Sequence, residues 1–297
     1  MNKLRIGYFA DGPWSHLAFE KIIQDSRLEL AFIVPRFDTK DKTLKKYANK
    51  YNIDYFKCEN VNSEDSIKRI KSYNCDILVS MSFNQIFKDE IINLTPNKII
   101  NCHAGKLPFY RGRNILNWVL INDESEFGIT VHYVDKGIDT GDIILQNTYP
   151  ISDKDNYNSL LKVAFEECAN ILYDALILFV DNKVNPILQN TIHNLGMYCG
   201  RRMKGDEIVD WNDSSRNVFN FIRSISEPGP QAQTLLNGKL IKINNAKYFN
   251  EAPHYIGKPG QILSKTTEGY LVKTKDSFIE ILEVDSRLRI GQKFESK

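Results

Sequence analysis

The sequence lacks several motifs that mark common classes of enzyme. No GxGxxG follows the first apolar run and no GxxxxGK[ST] occurs, so neither a dinucleotide-binding turn nor a Walker-type phosphate loop has motif support. HExxH and GxSxG are also absent, which removes the motif evidence for a zinc protease or a nucleophile-elbow hydrolase. Function must therefore be sought in other combinations of residues.

Cysteine is scarce and shows no pairing pattern. The five cysteines are an odd number, are widely separated and form no CxxC pair. This distribution predicts reduced thiols. Because no His, Cys and Asp residues share zinc spacing, we expect no metal site.

The sequence has neither a strong excess of charge nor a long uninterrupted apolar run. Lys and Arg number 39 against 37 Asp and Glu, and the net charge of +2 predicts no general attraction to nucleic acids or membranes. The longest apolar stretch, 160–180, is interrupted by Lys162, Glu166, Glu167 and Asp174, which excludes a membrane span. We recognise no signal peptide and expect a cytoplasmic protein with no membrane or nucleic-acid partner.

Short apolar runs alternate with amphipathic stretches through the first half of the chain. The apolar runs predict buried strands at 4–10, 28–34, 75–82 and 98–103. The stretches between them predict helices at 14–25, 42–51 and 63–73. This alternation predicts a mostly parallel sheet, which binds ligands at the carboxyl ends of its strands.

Two further strands and a long helix are predicted next. The strands lie at 127–135 and 142–151. Ser152 with Asp155 three residues later resembles a capping box, which predicts that the helix opens there and continues to Val180. Such a helix would cover one face of the sheet.

The periodicity weakens after residue 183, where we place a domain boundary. We predict a first domain at 1–190, a linker at 191–212 and a C-terminal domain at 213–297. The last contains a helix at 215–225 and then short alternating strands. The predicted fold class is α/β, a mostly parallel sheet with helices on both faces, followed by a small β-rich, barrel-like domain.

The clearest candidate site is the run IINCHAGKLPFYRGR at 99–113. Because side chains alternate along a strand, Asn101 and His103 share one face and Cys102 takes the other. The loop that follows carries three basic residues, Lys106, Arg111 and Arg113. A polar site beside a basic loop suits an anionic substrate.

A second candidate element is the loop DKGIDTGDI at 135–143. A histidine that acts as a base near neutral pH needs an orienting carboxylate, and Asp139 supplies one if this loop folds back over His103. The same loop is also typical of an ordinary hairpin turn. The other histidines stand alone in the sequence, and we expect all four to be structural or surface residues: His16, His132, His193 and His254.

Together, Asn101-Cys102-His103, the loop HAGKLPFYRGR, Asn117-Trp118 and GIDTGD resemble the formyltransferase family that uses 10-formyltetrahydrofolate. The resemblance runs from about residue 3 to 185 and continues more weakly into the C-terminal part. It implies a Rossmann-like fold, N10-formyltetrahydrofolate as co-substrate, no metal and, by family habit, a homodimer.

The resemblance also assigns roles to residues. It implies that Asn101, His103 and Asp139 are catalytic. It implies folate contacts in the segment 80–87 and in the loop before Asp139, which we assign to Ser82, Phe83, Ile86, Asp135 and Gly137.

The form of the basic loop separates members of the family. GKLPFYRGRN is similar to the loop of sugar N-formyltransferases that act on nucleotide-linked amino sugars, whereas methionyl-tRNA formyltransferases usually show SLLP and a basic insertion near residue 40. The resemblance thus implies formylation of a dTDP-, UDP- or GDP-linked amino deoxysugar for bacterial cell-surface polysaccharide. The substrate contacts would come from Lys106, Tyr110, Arg111, Arg113 and Asn114. A methionyl-tRNA formyltransferase, a formyltetrahydrofolate hydrolase and an inactive folate-binding protein are the alternatives.

We predict that His103→Ala and Asp139→Asn each lower turnover at least about 100-fold, because both side chains act mainly in the transition state. Folate affinity should change little, and fluorescence titration beside steady-state kinetics measures both quantities. Cys102→Ala is the control and should remain active. Near wild-type turnover in either test variant would disprove the assignment, and an inactive but folded Cys102→Ala protein would indicate a thiol mechanism.

Overall fold

The computed structural model describes residues 3–295, and contacts divide the chain into two units. The first unit takes the chain up to Gly112, then Gly128–Tyr149 and Val163–Tyr198. The second takes Arg113–Phe127, Pro150–Lys162 and the chain from Cys199 onwards. The segments 113–127 and 150–162 thus belong to the second unit, whereas the sequence analysis places them inside the first domain.

The first part of the chain contains nine strands and seven helices among its described residues. The strands are β1 (Leu4–Ala10), β2 (Leu28–Val34), β3 (Asp54–Tyr55), β4 (Ile77–Met81), β5 (Ile99–His103), β6 (Arg111–Gly112), β7 (Glu126–Tyr133), β8 (Ile143–Pro150) and β9 (Tyr198–Cys199). The helices are α1 (Pro13–Gln24), α2 (Thr43–Tyr51), α3 (Glu64–Ser72), α4 (Asp89–Ile92), α5 (Ile115–Ile121), α6 (Tyr157–Val180) and α7 (Gln189–Ile192).

Seven of these strands form one mixed sheet in the order β3-β2-β1-β4-β5-β7-β8. β1 is parallel to β2 and β4, and β4 is parallel to β5, which confirms the mostly parallel sheet. β7 then runs antiparallel to β5. β2 and β4 lie on opposite sides of β1, so the strand order reverses direction there. Parallel sheets bind ligands at the carboxyl ends of the strands beside such a switch point.

Burial explains why the apolar runs form these strands. β1 and β4 are buried along nearly their whole length, as expected of parallel strands covered on both faces. Aromatic side chains contribute to the core beside them, with the rings of Phe9 and Phe32 5.7 Å apart in an edge-to-face contact. The predicted bounds of β1 and β2 match the structure residue for residue.

The start predicted for the long helix is wrong by about one turn. α6 begins at Tyr157, and its cap is Asn156, whose Oδ1 accepts a hydrogen bond from the Ser159 amide at 3.0 Å. Asp155 accepts instead from the amide and hydroxyl of Ser152, both at 2.8 Å, so this pair closes a turn before the helix. None of the helices within residues 3–295, α6 included, is long and apolar enough to cross a membrane.

The C-terminal part of the second unit contains an antiparallel barrel-like sheet and the helix α8. The elements are α8 (Ser215–Ser224), β10 (Ala232–Leu236), β11 (Lys239–Lys247), β12 (Ile262–Lys265), β13 (Gly269–Lys273) and β14 (Phe278–Val284). The sheet order is β10-β11-β14-β13-β12. The β-rich C-terminal fold is therefore confirmed, although β10 was not predicted as a strand.

The last described residues connect the two edge strands of this sheet. The amide of Ile262 in β12 donates to the carbonyl of Gln292 at 2.8 Å, and the amide of Glu295 donates to the carbonyl of Leu235 in β10 at the same distance. Phe294 is fully buried between these contacts and stacks on Trp211 at 5.3 Å between ring centroids. Hydrogen bonding thus continues around the sheet, which removes exposed strand edges.

We predict that Phe294→Ala destabilises the second unit by about 3–5 kcal/mol, because it leaves a cavity beside Trp211 and loosens the closing segment. Urea unfolding followed by tryptophan fluorescence and circular dichroism measures the change. Ile290→Ala is the control, since its side chain is 65% exposed, and should stay within about 0.5 kcal/mol of wild type. Equal midpoints for the two variants would show that the segment does not support the barrel.

Candidate active site

The carboxyl end of β5 supplies the first two site residues. Asn101 lies opposite His132 in the pairing of β5 with β7, and His103 lies opposite Thr130. Cys102 faces away from them, as strand alternation predicts, with its Sγ 3.5 Å from the carbonyl of Cys168 in α6. Asn101 and His103 therefore share one face of the sheet.

His103 is buried, and both of its ring nitrogens have defined neighbours. Nε2 lies 2.8 Å from the carbonyl oxygen of Tyr110, and because a carbonyl only accepts, Nε2 carries a proton. Nδ1 faces Asp139, 3.7 Å from Oδ2. Gly105 makes this packing possible, since a Cβ at that position would collide with His103 Nε2 and with the carbonyl of Tyr110.

Asp139 lies on a loop that folds back over His103. Its carboxylate is only 13% exposed, and Oδ2 accepts a hydrogen bond from the Gly112 amide at 2.8 Å. Oδ1 lies 3.5 Å from Nε2 of His132. The loop itself is closed by Asp135, whose Oδ1 accepts from the Gly137 amide at 3.0 Å and from the Thr140 hydroxyl at 2.5 Å.

His132 is a site residue that the sequence analysis missed, and the expectation that it stands apart is corrected. Its side chain is 2% exposed and lies between Asn101 and Asp139. Nδ1 is 2.8 Å from the Tyr133 carbonyl, so Nδ1 carries a proton, and in the neutral ring Nε2 accepts from Asn101 Nδ2 at 3.3 Å. The only sequence signal was a histidine on a predicted strand, because the antiparallel pairing of that strand with β5 is not visible in the sequence.

The segment expected to bind folate follows β4. Ser82 has a positive φ of 56° and is held by Arg36, whose Nε donates to its carbonyl at 2.7 Å and whose Nη2 donates to its hydroxyl at 2.9 Å. Phe83 stacks on Phe87 at 5.7 Å between centroids. Ile86 is 70% exposed, so this segment presents an apolar side chain at the surface.

The five residues expected to bind substrate have different environments. Lys106 is exposed, whereas Tyr110 is buried. The carbonyl of Tyr110 is the hydrogen-bond partner of His103. The guanidinium of Arg111 donates to Gln189 Oε1 from Nε at 3.1 Å and from Nη2 at 2.6 Å. Arg113 and Asn114 are exposed and belong to the second unit, where Asn114 Oδ1 accepts from the Arg202 amide at 3.0 Å.

Comparison with known proteins identifies the family. A model described as formyl transferase matches residues 16–176, more than half of the chain, and a model described as the formyl transferase C-terminal domain matches residues 202–291. The chain belongs to the formyl transferase family. The family predicted from the sequence motifs is thereby confirmed.

Three similar proteins illustrate the range of this formyl transferase's relatives. A methionyl-tRNA formyltransferase of Carboxydothermus hydrogenoformans is 34% identical over 224 residues, which cover 75% of this chain and 70% of that protein. The structure of WlaRD, a sugar 3N-formyl transferase in the presence of dTDP and 5-N-formyl-THF, has a TM-score of 0.75 at 21% identity and covers 97% of this chain and 100% of that one.

An N-formyltransferase from Helicobacter canadensis, in complex with folinic acid and dTDP-3-aminofucose, has a TM-score of 0.71 at 23% identity. The alignment covers 96% of this chain and 100% of that one. Both structures share the fold of this formyl transferase.

The surroundings act differently on the two groups of the candidate site that show shifted pKa values, His103 and Asp139. Burial lowers the pKa of His103, although the charge of Asp139 acts in the opposite direction. Burial opposes ionisation of Asp139 as well, but His103, His132 and the Gly112 amide outweigh it and hold the pKa of this carboxyl well below its usual range. At neutral pH the site therefore contains a neutral imidazole beside a carboxylate.

This arrangement provides a base, an orienting anion and an amide donor in a buried site. Within the described part of the chain, residues 3–295, no group of three His, Cys, Asp or Glu side chains is arranged to hold a metal ion. The chemistry available from these residues is proton transfer and hydrogen bonding to a polarised carbonyl.

We predict that Asp139→Asn lowers the pKa of His103 further, because it removes the negative charge that favours the protonated ring. Nuclear magnetic resonance of ¹³C-histidine-labelled protein measures the pKa of His103 in a titration from about pH 4 to about pH 8, which includes the ordinary range of histidine. The His103→Ala spectrum identifies the resonance. A pKa of His103 that stays constant or rises in Asp139→Asn would show that the carboxylate does not act on the ring.

Proposed function

We propose that this formyl transferase moves the formyl group of N10-formyltetrahydrofolate to the amino group of a nucleotide-linked amino deoxysugar, in bacterial cell-surface polysaccharide synthesis. The observation that carries the proposal is the cluster of Asn101, His103 and Asp139, together with the loop GKLPFYRGRN that begins two residues after His103. The fold similarity to two complete sugar N-formyltransferase chains also supports it.

The reaction joins the amine nitrogen to the formyl carbon and then breaks the bond from that carbon to N10 of the folate. Attack places negative charge on the formyl oxygen and positive charge on the amine nitrogen. One N–H of the Asn101 amide points to His132, which leaves its second N–H to stabilise the oxyanion. Such a donor contributes about 3 kcal/mol in comparable sites.

The proton leaving the amine needs an acceptor, and His103 provides it at Nδ1. This ring is neutral at pH 7 because burial lowers its pKa, and Nδ1 faces the carboxylate of Asp139. Asp139 stabilises the imidazolium that forms, and the proton then passes to N10 as the folate leaves. Activity therefore falls as the pH drops through the lowered pKa of His103, because the protonated ring is no longer a base.

A methionyl-tRNA substrate is the second candidate, and relatives such as the Carboxydothermus hydrogenoformans enzyme favour it. Two observations weigh against it. Residues 35–42, between β2 and α2, form a short loop in which Arg36 is bound to Ser82 and Asp41 lies 3.2 Å from His16. Residues 213–297 contain thirteen basic and nine acidic residues, and two of the basic ones, Arg223 and Lys273, are buried. Arg36, Arg223 and Lys273 are therefore engaged within the protein and are not available to a phosphate backbone.

A panel of formyl acceptors tests the proposed function. Purified protein with N10-formyltetrahydrofolate should formylate one of the dTDP-, UDP- or GDP-linked amino sugars, which a thermal-shift screen selects beforehand. Formylation of methionyl-tRNA alone, with a steep loss of activity in salt, would replace the sugar with tRNA. Formate release at full rate without an amine would indicate a hydrolase, and absence of any turnover would indicate a folate-binding protein.

The partners follow from the same proposal. We expect a cytoplasmic homodimer that binds N10-formyltetrahydrofolate and a nucleotide-linked amino sugar, without a metal, nucleic acid or membrane. The folate contacts are assigned to Ser82, Phe83, Ile86, Asp135 and Gly137. Light scattering after size exclusion measures the oligomeric state.

We predict that Arg113→Ala raises the KM for the nucleotide sugar about tenfold or more, a loss of roughly 1.4 kcal/mol. A guanidinium offers paired donors to a diphosphate, and the substitution leaves the Arg113 amide bonded to the Cys199 carbonyl. The KM for N10-formyltetrahydrofolate should stay nearly constant when each substrate is varied in turn.

Arg289→Ala, at another exposed arginine, is the matched control and should change neither KM. An unchanged sugar KM in Arg113→Ala would remove Arg113 from the site. Equal damage to both KM values would indicate a distorted loop.

A further inference from the structure

The segment that follows α6 contacts both loops of the candidate site, although it lies between the two family matches at 16–176 and 202–291. It includes the short helix α7 and continues to β9. Gln189, the first residue of α7, is 4% exposed. A buried glutamine in a mostly exposed segment needs an explanation in hydrogen bonds.

Gln189 makes four hydrogen bonds, all within the first unit. Its Nε2 donates to the carbonyl of Asp139 at 2.9 Å and to the carbonyl of Gly141 at 2.8 Å. Its Oε1 accepts from Nε and Nη2 of Arg111. Because carbonyls only accept and a guanidinium only donates, these partners permit one orientation of the amide.

These bonds connect two segments that position Asp139, namely its own loop and strand β6 with Arg111 and Gly112. Asp139 has a positive φ of 54°, a conformation that costs a non-glycine residue free energy and that its surroundings must hold. Gln189 binds the backbone of this residue from one side. Gln189 also binds the side chain of Arg111, the residue before Gly112. The Gly112 amide in turn donates to the Asp139 carboxylate.

The same segment fixes Arg111 by three further features. The Arg111 amide donates to the Met197 carbonyl at 3.0 Å, and its guanidinium lies 5.5 Å from the centre of the Tyr198 ring. Gly196 has no side chain at a point where a Cβ would collide with the guanidinium. The Arg111 side chain is thus a fixed partner for Gln189.

We propose that Gln189 is a positioning residue for formyl transfer, which holds Asp139 at its distance from His103 by joining the loop 135–142 to Arg111. Gln189 touches no reacting atom in this role and acts through Asp139. Its effect on turnover rests on the proposed function, whereas its effect on the ionisation of His103 does not.

Gln189→Leu and Gln189→Met test the proposal, since both are neutral, have nearly the same volume and lack the amide. With Asp139 no longer fixed, the pKa of His103 should fall below the wild-type value, in the same direction as in Asp139→Asn. The kcat for formyl transfer should fall about 10- to 100-fold, while the KM for the folate changes little. Histidine titration by nuclear magnetic resonance and steady-state kinetics give the two readouts.

Asn190→Leu is the matched control, because Asn190 is the exposed neighbour in the same helix and should leave both readouts unchanged. A folded Gln189 variant with an unchanged titration of His103 would overturn the proposal, even if turnover fell. Failure of both variants to fold would assign Gln189 to the fold and would also overturn it. A shifted titration in a protein without sugar turnover would support Gln189 and reject only the proposed substrate.

Discussion

An ionised carboxylate held between two imidazoles is the constraint on which the site depends. Burying Asp139 without partners would cost several kcal/mol, so its surroundings must compensate. The Gly112 amide donates to the carboxylate, and the rings of His103 and His132 face it from two other segments. The fold therefore has to bring the end of β5, the end of β7 and strand β6 to one point.

The mixed character of the sheet makes this meeting possible. A parallel neighbour would present another carboxyl end to β5, whereas the antiparallel β7 places His132 directly opposite Asn101. His132 then has two possible partners at Nε2. Nε2 lies 3.3 Å from Asn101 Nδ2 and 3.5 Å from Asp139 Oδ1. One ring nitrogen thus faces two neighbouring site residues from the antiparallel strand.

The sequence contains enough local information for most elements and for the central motif. The bounds of β1 and β2 follow from apolar runs, and strand alternation assigns the opposite faces of Asn101 and Cys102. Long-range pairings could not be predicted from the sequence, because no local pattern encodes them. Neither the position of His132 beside Asn101 nor the bonds of Gln189 to residues about 50 positions earlier could be read from spacing or periodicity.

The start of α6 shows that the local sequence also does not determine where a helix begins. Ser152 and Asp155 have the composition of a cap, but so does Asn156 one residue later, and the competing hydrogen bonds decide between them. Composition narrows a helix start to a few residues, and only the three-dimensional hydrogen bonds select one.

The interleaved segments of the two units have a consequence for biosynthesis. The first unit needs residues up to Tyr198 and the second needs the closing segment at 292–295, yet residues 113–127 belong to the second unit. A ribosome adds the residues from Tyr198 to the closing segment in roughly 5–20 s, given typical elongation rates. During that interval the early segments of the second unit have been synthesised without the later residues of that unit, so their apolar side chains wait for their partners.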